Sequence, residues 1–226
     1  MKLKRGLLVS CQAVKGEPLY GYGIMHLFAK AAQAGGASGI RALAEDIDSI
    51  KATVDLPVIG LVKQCYFDSE IYITPTKSDV DKLLKTKCDV ICMDATNRSR
   101  PNGETLEEVY RYAREHANGR ELMADVSTLE EAQNAEKLGF EYVSTTLRGY
   151  TAYTKDCALP DLDFVAQCKK CVTKCKIIAE GGYFEASQVK KLSEINPYAL
   201  VIGSAITRPK VITEYFNKAL KLKDEN

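Results

Sequence analysis

The feature that most limits the fold is a rhythm. A short apolar run is followed by a longer stretch with helical spacing, and the pair recurs eight times along 226 residues. The apolar runs fall at 7–12, 38–41, 58–63, 90–95, 122–126, 142–147, 176–180 and 200–203. The helical stretches fall at 23–34, 46–54, 78–85, 106–116, 129–138, 162–172, 187–195 and 211–222. Near-continuous apolar runs are what strands look like when both faces are covered. Strands alternating with helices imply a parallel sheet. Eight such units in one chain predict an α/β fold of the closed (β/α)8 (TIM) barrel type. No G-x-G-x-x-G follows the first run, so a doubly wound dinucleotide fold is disfavoured. No Pro/Gly-rich linker interrupts the chain, which predicts one domain over 1–226. Within the rhythm, Ser127-Thr128-x-Glu130-Glu131 reads as a helix start with a capping box.

A barrel of this kind places its reactive groups where strands run into the following loops. At those ends the sequence carries Gln12, Arg41, Lys63, Asp94, Asp125, the triplet Ser144-Thr145-Thr146, and Glu180. One charged residue beside apolar strand residues is readily explained as a rim ion pair, the ordinary way to avoid burying a charge alone. Five successive strands each delivering an ionisable group at the same end point instead to a shared polar site. The last two strands end in Gly181-Gly182 and Gly203-Ser204, and Arg208 follows closely. Glycine lets backbone N–H groups approach an anion, a helix N-terminus adds a favourable dipole, and arginine offers a fork for phosphate oxygens. Gly181, Gly182, Gly203, Ser204 and Arg208 are therefore predicted to form a phosphate cradle. No Walker-type motif accompanies it, which argues against a nucleoside triphosphate.

The formal net charge of +1 leaves no broad electrostatic footprint for nucleic acid or an anionic membrane. No apolar run is long enough to cross a bilayer. Residues 1–5 are basic and 8–11 resemble a lipoprotein cleavage site, but the apolar segment between them is too short for a signal peptide. A cytoplasmic protein is expected, with its eight cysteines as reduced thiols. Cys168, Cys171 and Cys175 invite a metal reading, but they share a helical face with Phe164 and Val165 and lack a nearby fourth ligand, since His26 and His116 are distant in sequence. Buried thiols and no metal are the expectation. A homodimer is compatible with the sequence, because barrel enzymes often expose an apolar helix face.

Seven stretches, in order along nearly the whole chain, carry a resemblance. They are LLVSCQA with EPL soon after, GGASGIRA, PVIGLVKQCYFDSEIYITPT, DVICMDATNRSRPNGE, LMADVSTLEEAQNAEKLGFEYVSTTLRGYT, IIAEGG and VIGSAITRP. Together they resemble the N-acetylmannosamine-6-phosphate 2-epimerase family of bacterial sialic acid breakdown. The resemblance implies a (β/α)8 barrel that needs no metal or organic cofactor and inverts C2 of a 6-phosphorylated amino sugar. It maps Lys63 to the acid/base residue and places Glu180 in the reacting centre. It puts Gln12, Arg41 and Asp125 at the sugar, and Gly203 and Arg208 at the phosphate end; Thr145, from the strand-end triplet, is also expected at the sugar. Three positions depart from the family pattern. Gly182 stands where a larger polar or basic residue is expected, Arg148 where a small one is commoner, and Tyr20 in place of a histidine.

Inversion at C2 needs an acidic C–H, which the sugar has only beside the C1 aldehyde of its open chain. The site must then open the ring, remove the proton and steady an enolate. A lysine at its ordinary pKa of about 10.4 is protonated at neutral pH. Burial and a neighbouring cation such as Arg41 would lower Lys63 into useful range. Glu180 would move a proton at the ring oxygen or O1, and Asp125 would orient Lys63 or hold a hydroxyl. Two other readings fit the same pattern: a metal-dependent pentulose-phosphate 3-epimerase, or a barrel that binds a phosphosugar without chemistry. Two histidines, neither at a clear strand end, count against the first, and Lys63 facing Glu180 counts against the second.

Overall fold

The computed structural model describes residues 2–220. Eight strands pair in parallel and in sequence order, and β8 closes on β1 to form a barrel. They are β1 (Gly6–Cys11), β2 (Gly39–Leu43), β3 (Val58–Leu61), β4 (Val90–Asp94), β5 (Glu121–Asp125), β6 (Tyr142–Ser144), β7 (Lys176–Glu180) and β8 (Ala199–Ile202). The helices are α1 (Met25–Ala34), α2 (Ile47–Thr53), α3 (Lys77–Leu84), α4 (Leu106–His116), α5 (Leu129–Leu138), α6 (Leu162–Cys171), α7 (Ala186–Ile195), the single turn α8 (Ser204–Thr207) and α9 (Pro209–Ala219). The (β/α)8 expectation therefore holds. The predicted helix 211–222 corresponds to α9, and its last two residues lie outside the described ones.

The strands alternate strictly. Leu8, Ile59, Leu61, Val90, Cys92, Met123, Tyr142, Ile178 and Val201 point inward and fill the barrel. Their neighbours Val9, Ile40, Val58, Ile91, Leu122, Val143, Ile177 and Leu200 point outward under the helices. Successive side chains on a strand face opposite sides, so the inner set can be counted forward to the strand ends. Counting by twos gives Ser10 and Gln12 on β1, Arg41 on β2, Lys63 after β3, Asp94 on β4, Asp125 on β5, Ser144 and Thr146 on β6, Glu180 on β7 and Gly203 after β8. This one parity delivers the polar residues to a single mouth.

Local signals start the helices that face this mouth. Thr76, Thr105 and Thr128 each accept the N–H three residues on, and Asp79, Glu108 and Glu131 answer with the reciprocal bond. The predicted box at 127–131 is thus Thr128 with Glu131. Such caps satisfy N–H groups that a helix cannot pair internally.

The last of these helices behaves differently from the rest. α9 buries none of its residues. Phe216 is 64% and Leu220 60% exposed. Beside it, a groove of about 710 Å³ lies open on the outer wall, lined by Leu7, Leu200 and Ile202 of the barrel and by Val189 and Leu192 of α7.

Candidate active site

The mouth at the carboxyl ends of the strands holds a cavity of about 420 Å³, ample for one small sugar. Gln12, Arg41, Lys63, Thr146, Glu180, Gly181, Gly182, Gly203, Ser204 and Arg208 all line it.

Arg41 is the base of the site. The residue is 1% exposed, and a charge in that position unpaired would cost several kcal/mol. Asp125 meets it with both oxygens, at 2.6 Å from Nη2 and 3.1 Å from Nη1. Nη1 also donates to Glu180 Oε2 at 2.8 Å. Burial works against the charge, but Asp125 and Glu180 outweigh it and hold Arg41 protonated beyond the usual arginine range.

Glu180 ends β7. Its Oε2 collects the contacts with Arg41, with Thr146 Oγ1 at 3.0 Å and with Ser144 Oγ at 3.4 Å. Its Oε1 makes no hydrogen bond among the described residues. Burial pushes this carboxyl above the usual glutamate range, against the pull of Arg41. An upward shift brings a carboxyl closer to the range in which it can exchange a proton with a bound molecule.

Lys63 stands two residues past β3, not within it. The chain from Val62 turns back on itself: Lys63 bridges to Ile73 in antiparallel fashion, and Thr74 N–H donates to the Val62 carbonyl at 2.8 Å. This short return holds the lysine over the mouth. Among the described residues its Nζ has no hydrogen-bond or ion-pair partner. Burial, then the positive charges of Arg208 and Arg41, bring its pKa down from 10.5 to about 8. An amine shifted toward neutrality and a carboxyl shifted upward, lining one cavity, are groups able to exchange protons with a molecule bound there.

Two sequence expectations are corrected, Thr145 by strand parity and Asp125 by its burial against Arg41. Thr145 is an outward residue: its hydroxyl donates to the Glu180 carbonyl at 2.9 Å and accepts from the Glu180 N–H at 3.0 Å, tying β6 to β7. Thr146 is the inward hydroxyl, 2.7 Å from Asp125 Oδ1. Asp125 neither reaches the cavity wall nor orients Lys63. It is wholly buried and clamps Arg41 from below. Ser10 and Tyr150 also line the cavity and were not anticipated. Counting by twos from Leu8 would have found Ser10, and from Tyr142 would have found Thr146. Gln12 donates its amide to Ser10 Oγ at 2.8 Å, while its buried Oε1 has no partner among the described residues, an acceptor available to a ligand. Asp94 is spent on the rim, 2.7 Å from Arg98 Nη2.

The glycines differ in kind. Gly181 has a φ of +112° and nothing within 4 Å of where a Cβ would stand. Gly182 has a φ of +77°, and a Cβ there would lie 2.5 Å from Leu159 Cβ. The departure at Gly182 is thus matched by Leu159 filling the place of its side chain. The departure at Arg148 builds a strap: Nε sits 2.8 Å from Asp161 Oδ2, and the guanidinium lies over the Phe164 ring at 4.7 Å. Tyr20 is exposed and does not line the cavity.

The cysteine cluster is divided. Cys168 and Cys175 are buried, whereas Cys171 is exposed, contrary to a shared buried face; all eight cysteines are free thiols. Among the described residues no three His, Cys, Asp or Glu side chains gather as metal ligands. Nor is any helix among them long and apolar enough to cross a membrane.

Comparison with known proteins adds relatives to this geometry. Residues 25–222 match the family described as "NanE: Putative N-acetylmannosamine-6-phosphate epimerase". A curated relative from Staphylococcus carnosus, named "Putative N-acetylmannosamine-6-phosphate 2-epimerase", is 52% identical over 97% of this chain and 98% of its own. One of the same name from Clostridioides difficile is 50% identical, covering 98% of each. The solved structure of the N-acetylmannosamine-6-phosphate 2-epimerase from Clostridium perfringens superposes with a TM-score of 0.91 at 47% identity, over 97% of this chain and 95% of that one. A thiamine phosphate pyrophosphorylase from Pyrococcus furiosus, 15% identical with a TM-score of 0.58 over 97% of this chain and 98% of its own, shares the fold alone. With the family matched over most of its length and relatives at half identity across nearly all of it, this chain belongs to the N-acetylmannosamine-6-phosphate 2-epimerase family.

Proposed function

We propose that the protein interconverts N-acetylmannosamine 6-phosphate and N-acetylglucosamine 6-phosphate in the cytoplasm, by removing and returning the proton on C2. One observation carries this reading. The unpaired Lys63 amine, with its pKa near 8, shares a cavity with the Glu180 carboxyl and with Arg208. In this reading neutral Lys63 takes the C2 proton of the open-chain sugar. Glu180 supplies and recovers a proton at O1 or the ring oxygen through its free Oε1. Arg41, fixed in charge and place by Asp125, steadies the developing enolate, since preorganised charge in a dry site acts without reorganisation. Gln12 receives a donor of the sugar on its unpartnered Oε1.

Gly181, Gly203, Ser204 and Arg208 form the phosphate end. Gly203 packs against Ser10, where a Cβ would stand 3.2 Å from the serine Cβ. The Arg208 guanidinium supplies charge. Arg208→Ala is expected to raise KM for the 6-phosphorylated sugar by about 10–100-fold, the worth of a charge-assisted pair, with a smaller change in kcat. Wild-type protein that binds N-acetylmannosamine as tightly as its 6-phosphate would refute the phosphate assignment.

The uncovered groove beside β8 and the bare apolar face of α9 support a homodimer, the α9 of a second copy lying in the groove. Each covers what the other exposes, and burying such side chains is worth about 1.5–3 kcal/mol apiece. Light scattering is expected to give about twice the chain mass of 25.0 kDa. Phe216→Asp is expected to give monomer. A monomeric wild type at micromolar concentration would contradict this.

A further inference from the structure

The cation at the phosphate end is itself held. Arg208 lies between α8 and α9, and its Nε is 3.1 Å from Glu17 Oε1. Glu17 is fixed in turn by the loop after β1. Its N–H donates to the Val14 carbonyl at 2.9 Å, closing a four-residue turn. Its Oε2 accepts the Val14 N–H at 2.8 Å. Gly16, third in that turn, has a φ of +93°, a conformation that type II turns require and that glycine adopts freely. Both carboxylate oxygens are therefore committed, one to backbone and one to Arg208.

The shortest contact of this pair runs through Nε. Among the described residues the two terminal nitrogens of Arg208 make no hydrogen bond, and Arg208 lines the cavity with Lys63, Gly203 and Ser204. A guanidinium grips phosphate best through two parallel N–H bonds, and the terminal pair is the one left over. A counterion that phosphate must displace would occupy those terminal nitrogens. Glu17 leaves them clear.

We propose that Glu17 is a positioning residue: it locks Arg208 by Nε, so that the terminal nitrogens face the 6-phosphate of the substrate. This rests on the phosphosugar reading of the cavity. Both charges also reach Lys63, where Arg208 lowers its pKa and Glu17 raises it. Removing the Glu17 charge therefore acts on the base as well as on binding.

The test compares wild type with Glu17→Gln, Arg208→Ala and the double variant. Inorganic phosphate binding is measured by titration calorimetry, and kcat and KM across pH. Glu17→Gln is expected to weaken phosphate binding and raise KM about tenfold, with kcat changed less than about twofold. The rise of kcat/KM with pH is expected to begin at lower pH in Glu17→Gln, a change that general loosening of the loop would not produce. The double variant is expected to bind phosphate no more weakly than Arg208→Ala, because Glu17 acts through Arg208. Glu17→Gln binding phosphate as tightly as wild type, or more tightly, overturns the proposal. If Arg208→Ala also binds at wild-type affinity, the phosphate reading falls with it. If Arg208→Ala alone loses binding, only the role of Glu17 falls. A crystal of the wild type soaked in phosphate gives a check independent of any variant's folding. The Glu17–Arg208 contact is expected to persist beside the bound anion, and a broken contact overturns the proposal.

Discussion

Lys63→Met is expected to lower epimerisation by about 10²–10⁴-fold, the usual worth of a positioned acid–base group, while leaving inorganic phosphate binding measurable. The same substitution is expected to make the protein more stable at neutral pH. An unfolded lysine keeps its proton up to its ordinary value of 10.5, whereas folded Lys63 releases it near 8. Between those values the folded chain binds fewer protons, so stability rises with pH across that window. Below about pH 8 the amine must be held charged in a buried site, and that cost is fully present. Methionine removes it and keeps the volume. Thermal melts at pH 7 and pH 10 are expected to show the variant ahead at the lower pH and its advantage shrinking at the higher one. The wild-type rate carries the same signature, with kcat/KM rising through about pH 8 as the amine becomes neutral. A variant that retains activity, or a wild-type profile flat through that region, removes Lys63 from the reaction.

Asp125→Ala is expected to have the largest effect on the fold. It deprives a fully buried guanidinium of its two-pronged partner. Breaking a buried pair by removing one member costs about 3–5 kcal/mol, because the remaining charge stays in place. For a chain of this length that corresponds to a fall of about 10 °C or more in Tm. Glu180 is expected to be drawn more tightly to Arg41, which holds it as a carboxylate and removes it as a proton donor. Activity should fall with stability, even at temperatures where the variant is folded. Urea denaturation and initial rates at low temperature measure the two separately. A variant within about 1 kcal/mol of wild type would show that Arg41 is not dependent on Asp125.

The barrel was legible in the sequence because each strand is apolar on both faces and each helix has its own spacing, so element order alone decides the topology. The site was legible where an isolated charge stood in or beside an apolar run, as at Arg41, Lys63 and Glu180. It was misread where several polar residues stood together. In Ser144-Thr145-Thr146 only the period of two, counted from Tyr142, separates the inward hydroxyls from the outward one. Asp125 was read as facing substrate because its bond to Arg41 joins residues far apart in the chain. The turn-back that carries Lys63 beyond β3 depends on pairing with Ile73, and residues 58–63 read equally well as one longer strand. The grip of Glu17 on Arg208 is of the same kind, a contact between the two ends of the chain. The sequence shows α9 as a helix, but whether a helix covers its own barrel wall is decided by packing.

The most direct measurement is proton NMR of N-acetylmannosamine 6-phosphate with the wild-type protein in heavy water. Deprotonation at C2 predicts that N-acetylglucosamine 6-phosphate appears and that the C2 proton signal of both sugars is replaced by deuterium. Formation of the second sugar with its C2 hydrogen retained, or no second sugar at all, would contradict the assignment of Lys63 and Glu180 as the acid–base pair.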